Sequence, residues 1–306
     1  MISPVLLETL PRRAEVLRSI RMTLDEAGFT EVETPIRIPA PANEPHINPP
    51  QSGNAFLRAS PELQMKRLIS LGLERIYQIG ACFRTNERGD RHNPEFTMLE
   101  WYRSNSDYRM LIGDIKKIIV DAACNVCGST TIVFDGREID LSMSWEIITV
   151  RDAFKQFAGW DPLENFDAER FHFDMAMKVE PALPKDHPCI LMDYPHQEAS
   201  LARLSEEDER VAERWEAYIG GMELCNAFSE LVDTETQRIR FEEARAEKIR
   251  LNETPMPIDE NFMSALGAMP PSAGAALGVD RLAMLLLDKQ DIASVRPFCQ
   301  LIGNLY

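Results

Sequence analysis

Two β-rich runs, residues 75–84 and 96–103, flank a polar connection at 85–95, and this arrangement restricts the fold more than any other stretch of the chain. Alternating bulky residues predict an antiparallel hairpin, yet a joint so long and charged is no tight turn. Loops of that kind tend to carry function. In the second run a period of two puts Phe96, Met98, Glu100 and Tyr102 on one face. A carboxylate among such neighbours needs a donor or a cation, because burying an unpaired charge is costly.

The other elements follow from periodicity. Residues 12–27 carry Ala14, Leu17, Ile20 and Leu24 at helical spacing and stop at Gly28. An alternating run, 29–35, ends at Pro35, and 39–51 holds five prolines and reads as a loop. A short strand is expected at 56–59, then a helix at 61–71 with Ser60 as N-cap and Pro61 at its first position. Further helices are expected at 107–126, 234–251 and 280–287, with strands at 189–194 and 274–279 and two more within 212–231, meeting near Gly220-Gly221. Strands without βαβ spacing imply an α+β fold, an antiparallel sheet flanked by helices, as one domain over 1–306.

Composition narrows the function. Lys+Arg number 33 against 49 Asp+Glu, a net charge of −16, and a field of that sign repels nucleic acid. No apolar run is long enough for a membrane span and the first residues lack a signal-peptide pattern, so the cytoplasm is expected. Six scattered cysteines form no disulfide framework; Cys124 and Cys127 make a lone CxxC, read as two thiols at a helix end. Neither a Walker loop nor GxGxxG is present, so a nucleotide would be held by side chains. Candidates are Arg84, Arg88, Arg91, His92 and Arg281, with Phe96 placed to stack on a base; charge patterning alone would make them a solvated loop. The acidic candidates are Glu62, Glu100 and the trio Glu216, Glu223 and Glu230, spaced by seven. Odd spacing sets Glu216 and Glu223 on opposite faces of one straight strand, so they meet only if the chain folds back at Gly220-Gly221. His46, His172, His187 and His196 are read as loop or core histidines.

Three ordered motifs carry a resemblance. Phe83-Arg84, with Arg91-His92-Asn93-Pro94-Glu95-Phe96-Thr97-Met98-Leu99-Glu100-Trp101-Tyr102, resembles motif 2 of the class II aminoacyl-tRNA synthetases, lysyl branch. Residues 28–35 resemble motif 1, and 274–282, from Gly274 through Gly278 to Arg281, resemble motif 3. The stretch 221–231 is similar as well, so the resemblance covers nearly the whole chain and implies the class II catalytic fold.

The resemblance implies roles for matching positions. Arg84 would hold the ATP α-phosphate and Arg281 the γ-phosphate, both as catalytic residues, while Phe96 would stack on adenine. Asn86, Glu87, His92, Asn93, Glu223, Leu224 and Gly278 would complete the ATP site, with either Asn86 or Glu87 at the adenine amine. Glu216 and Glu223 would carry Mg²⁺. Glu230 and Tyr102 would bind a lysine ε-ammonium, with Ser60, Pro61, Glu62, Glu100, Asn226, Phe228 and Ala276 around the rest of the amino acid. Motif 1 implies a homodimer.

Within this branch the chain is similar to the elongation factor P lysine ligases. The motif 1 helix begins close to Met1, so no anticodon-binding barrel is expected; Ser60 replaces the usual Ala and Ala276 the usual Gly. The similarity implies activation of lysine or (R)-β-lysine with ATP and Mg²⁺, transfer to a lysine of elongation factor P, and no tRNA and no membrane partner. A ligase for another small molecule or carrier, or a non-catalytic regulatory paralogue, are the competing expectations.

Overall fold

In the computed structural model, which describes residues 4–45, 47–85 and 87–299, an eight-stranded sheet organises the chain. The strands are β1 (Thr30–Glu31), β2 (Arg37–Ile38), β3 (Gln51–Ser52), β4 (Ala55–Leu57), β5 (Arg75–Phe83), β6 (Glu95–Ser104), β7 (Thr131–Phe134), β8 (Arg137–Asp140), β9 (Glu146–Thr149), β10 (Cys189–Pro195), β11 (Val211–Ile219), β12 (Met222–Ser229) and β13 (Ser272–Gly278). The helices are α1 (Pro4–Glu26), α2 (Glu62–Ser70), α3 (Met110–Cys127), α4 (Val150–Ala153), α5 (Ala168–Asp174), α6 (Glu180–Ala182), α7 (Thr234–Arg250), α8 (Glu260–Leu266) and α9 (Val279–Leu286).

The main sheet runs β1-β5-β6-β13-β12-β11-β10-β9. Its central pairs are antiparallel, as expected, but β1 pairs with β5 and β9 with β10 in parallel, so the sheet is mixed at both edges. Alternation sorts its two faces. Leu99, Trp101, Trp215, Ala227, Ala275 and Leu277 pack with Ile20 and Leu24 of α1, Ile115 and Ile119 of α3 and the apolar α9 in one core. Tyr102 on the opposite face meets Leu63 and Ile69 of α2, Phe241 of α7 and Phe262 of α8. Glu100 and Asn226 share that second face, which carries the polar site.

Several boundaries move. Helix α1 starts at Pro4, not at residue 12, and Pro11 lies inside it. Pro11 and Leu7, whose carbonyl loses its helical partner, are both exposed, so water replaces that bond. Of the 29–35 run only two residues are strand, because the Thr34 N–H turns to the Gln78 Oε1 side-chain oxygen, 2.8 Å away. The 56–59 strand is β4, in a separate three-stranded sheet with β2 and β3. Helix α3 begins at Met110, since the Asp107 carboxylate accepts the Arg109 and Met110 N–H groups. Pro61 holds the cap position of α2 while the Ser60 hydroxyl accepts the Glu62 N–H at 2.9 Å.

The 212–231 segment folds back as expected. Gly220 and Gly221 have φ of +62° and +72°, the left-handed values that a two-residue primed turn demands. Beyond the turn Tyr218 pairs with Glu223 and Ala217 with Cys225, so Leu224 is an extra residue, a β-bulge. Among the described residues no helix is long and apolar enough to cross a membrane.

Candidate active site

The second face opens into a cavity of about 270 Å³. Its basic wall comes from the hairpin loop and α9. Arg84 lies over the Phe96 ring, 5.2 Å from its centroid, and reaches Glu87 at 3.5 Å. Among the described residues its Nε is buried with no hydrogen-bond partner. Such a group suits an anion, since an unmet buried donor is costly. Arg281 donates to the Glu223 carbonyl at 2.8 Å and to its carboxylate at 3.1 Å, and its Nη2 lies 2.6 Å from His92 Nε2. A guanidinium only donates, so His92 accepts at Nε2 and carries its proton on Nδ1. Burial, then the Arg281 charge, lowers the His92 pKa and keeps it neutral at pH 7.

Backbone contacts hold these groups. Asp280 accepts the Thr97 N–H at 2.8 Å and pairs with Arg13 at 2.6 Å, tying the start of α9 to β6. Asn93 donates to the Glu95 carbonyl at 2.6 Å and Arg91 to the Gly221 carbonyl at 2.9 Å. Arg84, Glu87, His92, Asn93, Phe96, Glu223, Leu224, Gly278 and Arg281 all line the cavity, so the expected nucleotide residues converge. Asn86, like His46, lies outside the described residues.

The bulge explains the acidic wall. Glu223 and Asn226, three residues apart, would face opposite ways on a regular strand; the extra Leu224 brings both to the cavity, with Glu216 across from Asn226. Glu216 accepts from Arg214 at 2.7 Å and from the hydroxyls of Tyr194 and Tyr218 at 2.6 and 2.7 Å. Nearby Glu180 is pushed up to about 7 by burial and by the charges of Glu216 and Glu223, a sign of negative charge in excess. Among the described residues no group of three acidic, His or Cys side chains forms a metal cage. Glu216 and Glu223 both face the cavity and offer hard oxygen donors, the type Mg²⁺ takes alongside water and phosphate oxygens.

The residues expected around the amino acid divide. Asn226 and Ala276 line the cavity. Asn226 Oδ1 accepts from Arg214 at 3.0 Å, which leaves its NH₂ as the donor on the cavity side. Ser60, Pro61, Glu62, Glu100, Tyr102, Phe228 and Glu230 are not among its lining residues; of these Glu62, Glu100, Tyr102 and Glu230 are buried beyond it. The reason is Lys66, which is 1% exposed. Its ammonium sits 2.5 Å from Glu62 Oε1, pairs with Glu230 Oε2, and lies 5.2 Å above the centre of the Phe228 ring. Burial opposes the Lys66 charge, but Glu230 and Glu62 outweigh it and raise its pKa.

Three carboxylates thus share one internal cation. Glu100 accepts from the Ser60 hydroxyl and, at 3.0 Å, from the Tyr102 hydroxyl, yet burial and the Glu62 charge raise its pKa to about 7. Burial raises Glu230 to about 8 despite Lys66, and its Oε1 has no partner among the described residues. Gly274 makes this crowding feasible: a Cβ there would stand 2.6 Å from Glu230 Oε1 and 2.3 Å from Tyr102 Cε1.

Lys66, Arg214 and Gly274 escaped the sequence reading of the site. Lys66 had a signal, since it stands four residues after Glu62 on a helix. His187 lies in a loop, as expected, and pairs with Glu146 at 3.0 Å, whereas His172 is neither loop nor core: it is exposed on α5 and pairs with Glu198 at 3.0 Å. Cys127 donates to the Leu286 carbonyl at 3.2 Å, and Cys124 is exposed.

A family model for the class II tRNA synthetases (D, K and N) matches residues 1–301. The chain belongs to this family. It is 34% identical to a lysine–tRNA ligase of Moorella thermoacetica over 97% of this chain and 66% of the relative. Lysine–tRNA ligases of Clostridium perfringens and Burkholderia cenocepacia are 35% and 34% identical, again over 97% of this chain and 65% of theirs. The chain thus spans about two-thirds of the length of these relatives. The family accounts for the class II α+β fold, with its largely antiparallel sheet flanked by helices.

Proposed function

We propose that the chain activates lysine or (R)-β-lysine with ATP as an aminoacyl-adenylate and transfers it to a lysine side chain of elongation factor P. One observation carries this reading. The same sheet face holds a buried, unpartnered guanidinium N–H at Arg84 and, farther along its strands, a buried, unpartnered carboxylate oxygen at Glu230. An anion donor at one end and an ammonium acceptor at the other suit a cationic amino acid whose carboxylate meets a nucleotide phosphate.

In this reading the substrate carboxylate attacks the α-phosphorus of ATP and pyrophosphate leaves. Arg84 places its fork on the α-phosphate, Arg281 grips the γ-phosphate, and Phe96 exchanges its present Arg84 cover for adenine. Positioning and fixed charge supply most of the rate. Mg²⁺ at Glu216 and Glu223, when bound, offsets phosphate charge. The acceptor amine then attacks the carbonyl carbon of the mixed anhydride; the amide bond forms, the bond to the phosphate oxygen breaks, AMP leaves and the amine loses a proton to solvent.

A protein acceptor agrees with the −16 net charge, which repels tRNA and attracts a cationic lysine-bearing surface. Ala276 lines the cavity and Ser60 holds Glu100, so the two positions that resemble the protein ligases both bear on the amino acid. The proposed enzyme works in the cytoplasm as a homodimer. Mass spectrometry of elongation factor P incubated with the chain, ATP, Mg²⁺ and (R)-β-lysine or lysine tests the reading. Addition of one lysyl residue, with no charging of lysine tRNA, is expected; charged tRNA with unmodified factor would overturn it.

A further inference from the structure

The proline-rich segment before β3 brings one more carboxylate to the cavity, Glu44, and the geometry points to a role for it in reading the substrate amine nearest the carboxyl group. We propose that Glu44 is a specificity-determining residue for that amine and that Lys248 of α7 is the positioning residue that keeps it in place. The inference rests on the amino-acid-activating function above.

Glu44 lines the cavity together with Arg84, Arg214 and Asn226, whereas Glu62, Glu100 and Glu230 do not. Among the described residues its one hydrogen-bond donor is the neutral Ser200 hydroxyl, at 2.9 Å, and no cation lies within ion-pair distance. A half-buried carboxylate so placed is short of positive charge. Glu44 lines the cavity beside Arg84 and Arg214, whose charges oppose the rise in its pKa that burial and the charge of Glu62 in the closed cluster produce. An amino acid reaching from one to the other sets its carboxylate near Arg84 and its long side chain toward Glu230. Its remaining amine, on the carbon next to the carboxyl or one farther, then passes Glu44.

Lys248 explains why the segment stays put. Its ammonium, fully buried, donates to the carbonyls of Pro45 at 3.2 Å and Ile47 at 3.0 Å and to Asn48 Oδ1 at 2.7 Å, and pairs with Glu253 at 3.3 Å. The Asn48 carbonyl accepts both the N–H and the hydroxyl of Thr85, each at 2.8 Å, beside Arg84. On the other side Asn43 donates to the Pro257 carbonyl at 3.3 Å. Among the described residues this segment, without a helix or strand of its own, is thus fixed after Glu44 by a buried ammonium and by Thr85, and before it by Asn43.

The test is amino-acid-dependent ATP–pyrophosphate exchange by wild type, Glu44→Gln and Lys248→Met, with lysine and (R)-β-lysine as substrates. 6-Aminohexanoic acid, which lacks the second amine, serves as a competitive inhibitor. Glu44→Gln should raise KM for the diamino acids about tenfold or more, as for loss of a charged hydrogen bond, and leave KM for ATP and inhibition by 6-aminohexanoic acid unchanged. Lys248→Met should raise the same KM more than it lowers kcat, with Lys248→Arg recovering part of it. If Lys248→Met does not fold, Glu44→Gln decides alone. Unchanged KM in Glu44→Gln, or an equal loss for 6-aminohexanoic acid, overturns the inference; absence of exchange by wild type with every amino acid overturns the functional reading beneath it.

Discussion

Lys66 of α2 and Glu230, just beyond β12, form an ion pair inside the protein that leaves Glu230 Oε1 without a partner among the described residues. The site thus holds its own ammonium and still has acceptor capacity for a second. Fully ionised, Glu62, Glu100 and Glu230 against Lys66 would carry an excess of two negative charges, and one bound ammonium would halve it.

Glu230→Ala removes one of the two carboxylates holding Lys66 as well as the orphan oxygen. Truncating one member of a buried charged pair costs about 2–5 kcal/mol, so both the melting temperature and lysine-dependent exchange should fall. Adding Lys66→Met removes the uncompensated cation. The double variant should regain much of the thermal stability but not the exchange. Restored exchange in calorimetrically sound double variant would show that the substrate ammonium binds elsewhere.

Gly274 acts through space. Its backbone is ordinary strand, so the glycine is needed for room and not for a positive φ. Gly274→Ala sets a methyl against the Tyr102 ring and Glu230 Oε1. Overpacking of this kind costs about 1–3 kcal/mol. We expect a lower melting temperature and a raised KM for lysine with KM for ATP unchanged, measured by exchange kinetics; an unaffected lysine KM would separate Gly274 from the pocket.

These two residues show what the sequence could and could not convey. Alternation along β6 correctly put Glu100 and Tyr102 on the polar face, and Gly220-Gly221 correctly announced the turn that lets Glu216 meet Glu223, because both are local rules. The Leu224 bulge left no mark, since one extra residue in a strand shows only against its partner. Lys66 was visible as a helical pair with Glu62, a pattern usual on exposed helix faces; only the packing of α2 on the sheet turns it inward. Gly274 likewise looks like any strand glycine until the Tyr102 ring is seen beside it. The residues proposed to hold the nucleotide came from motif resemblance, whereas charge patterning alone favoured a solvated loop.

Arg84→Lys keeps a positive charge but loses the planar fork and the Nε–H, which has no partner among the described residues. Loss of a donor aimed at developing charge lowers kcat by about 10²–10³. Exchange should fall by that order while the melting temperature moves little, because among the described residues Arg84 makes no short ion pair, its Glu87 contact being 3.5 Å. Full exchange activity in Arg84→Lys would remove the arginine from the chemistry.

The carboxylate cluster also sets a pH dependence. Glu100 and Glu230 are raised from 4.5 to about 7 and about 8, mainly by burial. Across that interval the folded chain keeps protons that the unfolded chain has released, so the sign is opposite to that of a salt-bridged acid: their contribution favours folding at low pH and is lost as pH rises through these values. A bound ammonium favours the ionised carboxylates and so offsets the loss. Lysine or (R)-β-lysine should therefore raise the melting temperature more at about pH 8 than at about pH 6, and binding near pH 7 should release protons. Isothermal calorimetry in two buffers of different ionisation enthalpy measures that release directly. Binding with no proton release, and a stabilisation equal at both pH values, would mean that the ammonium does not meet these two carboxylates.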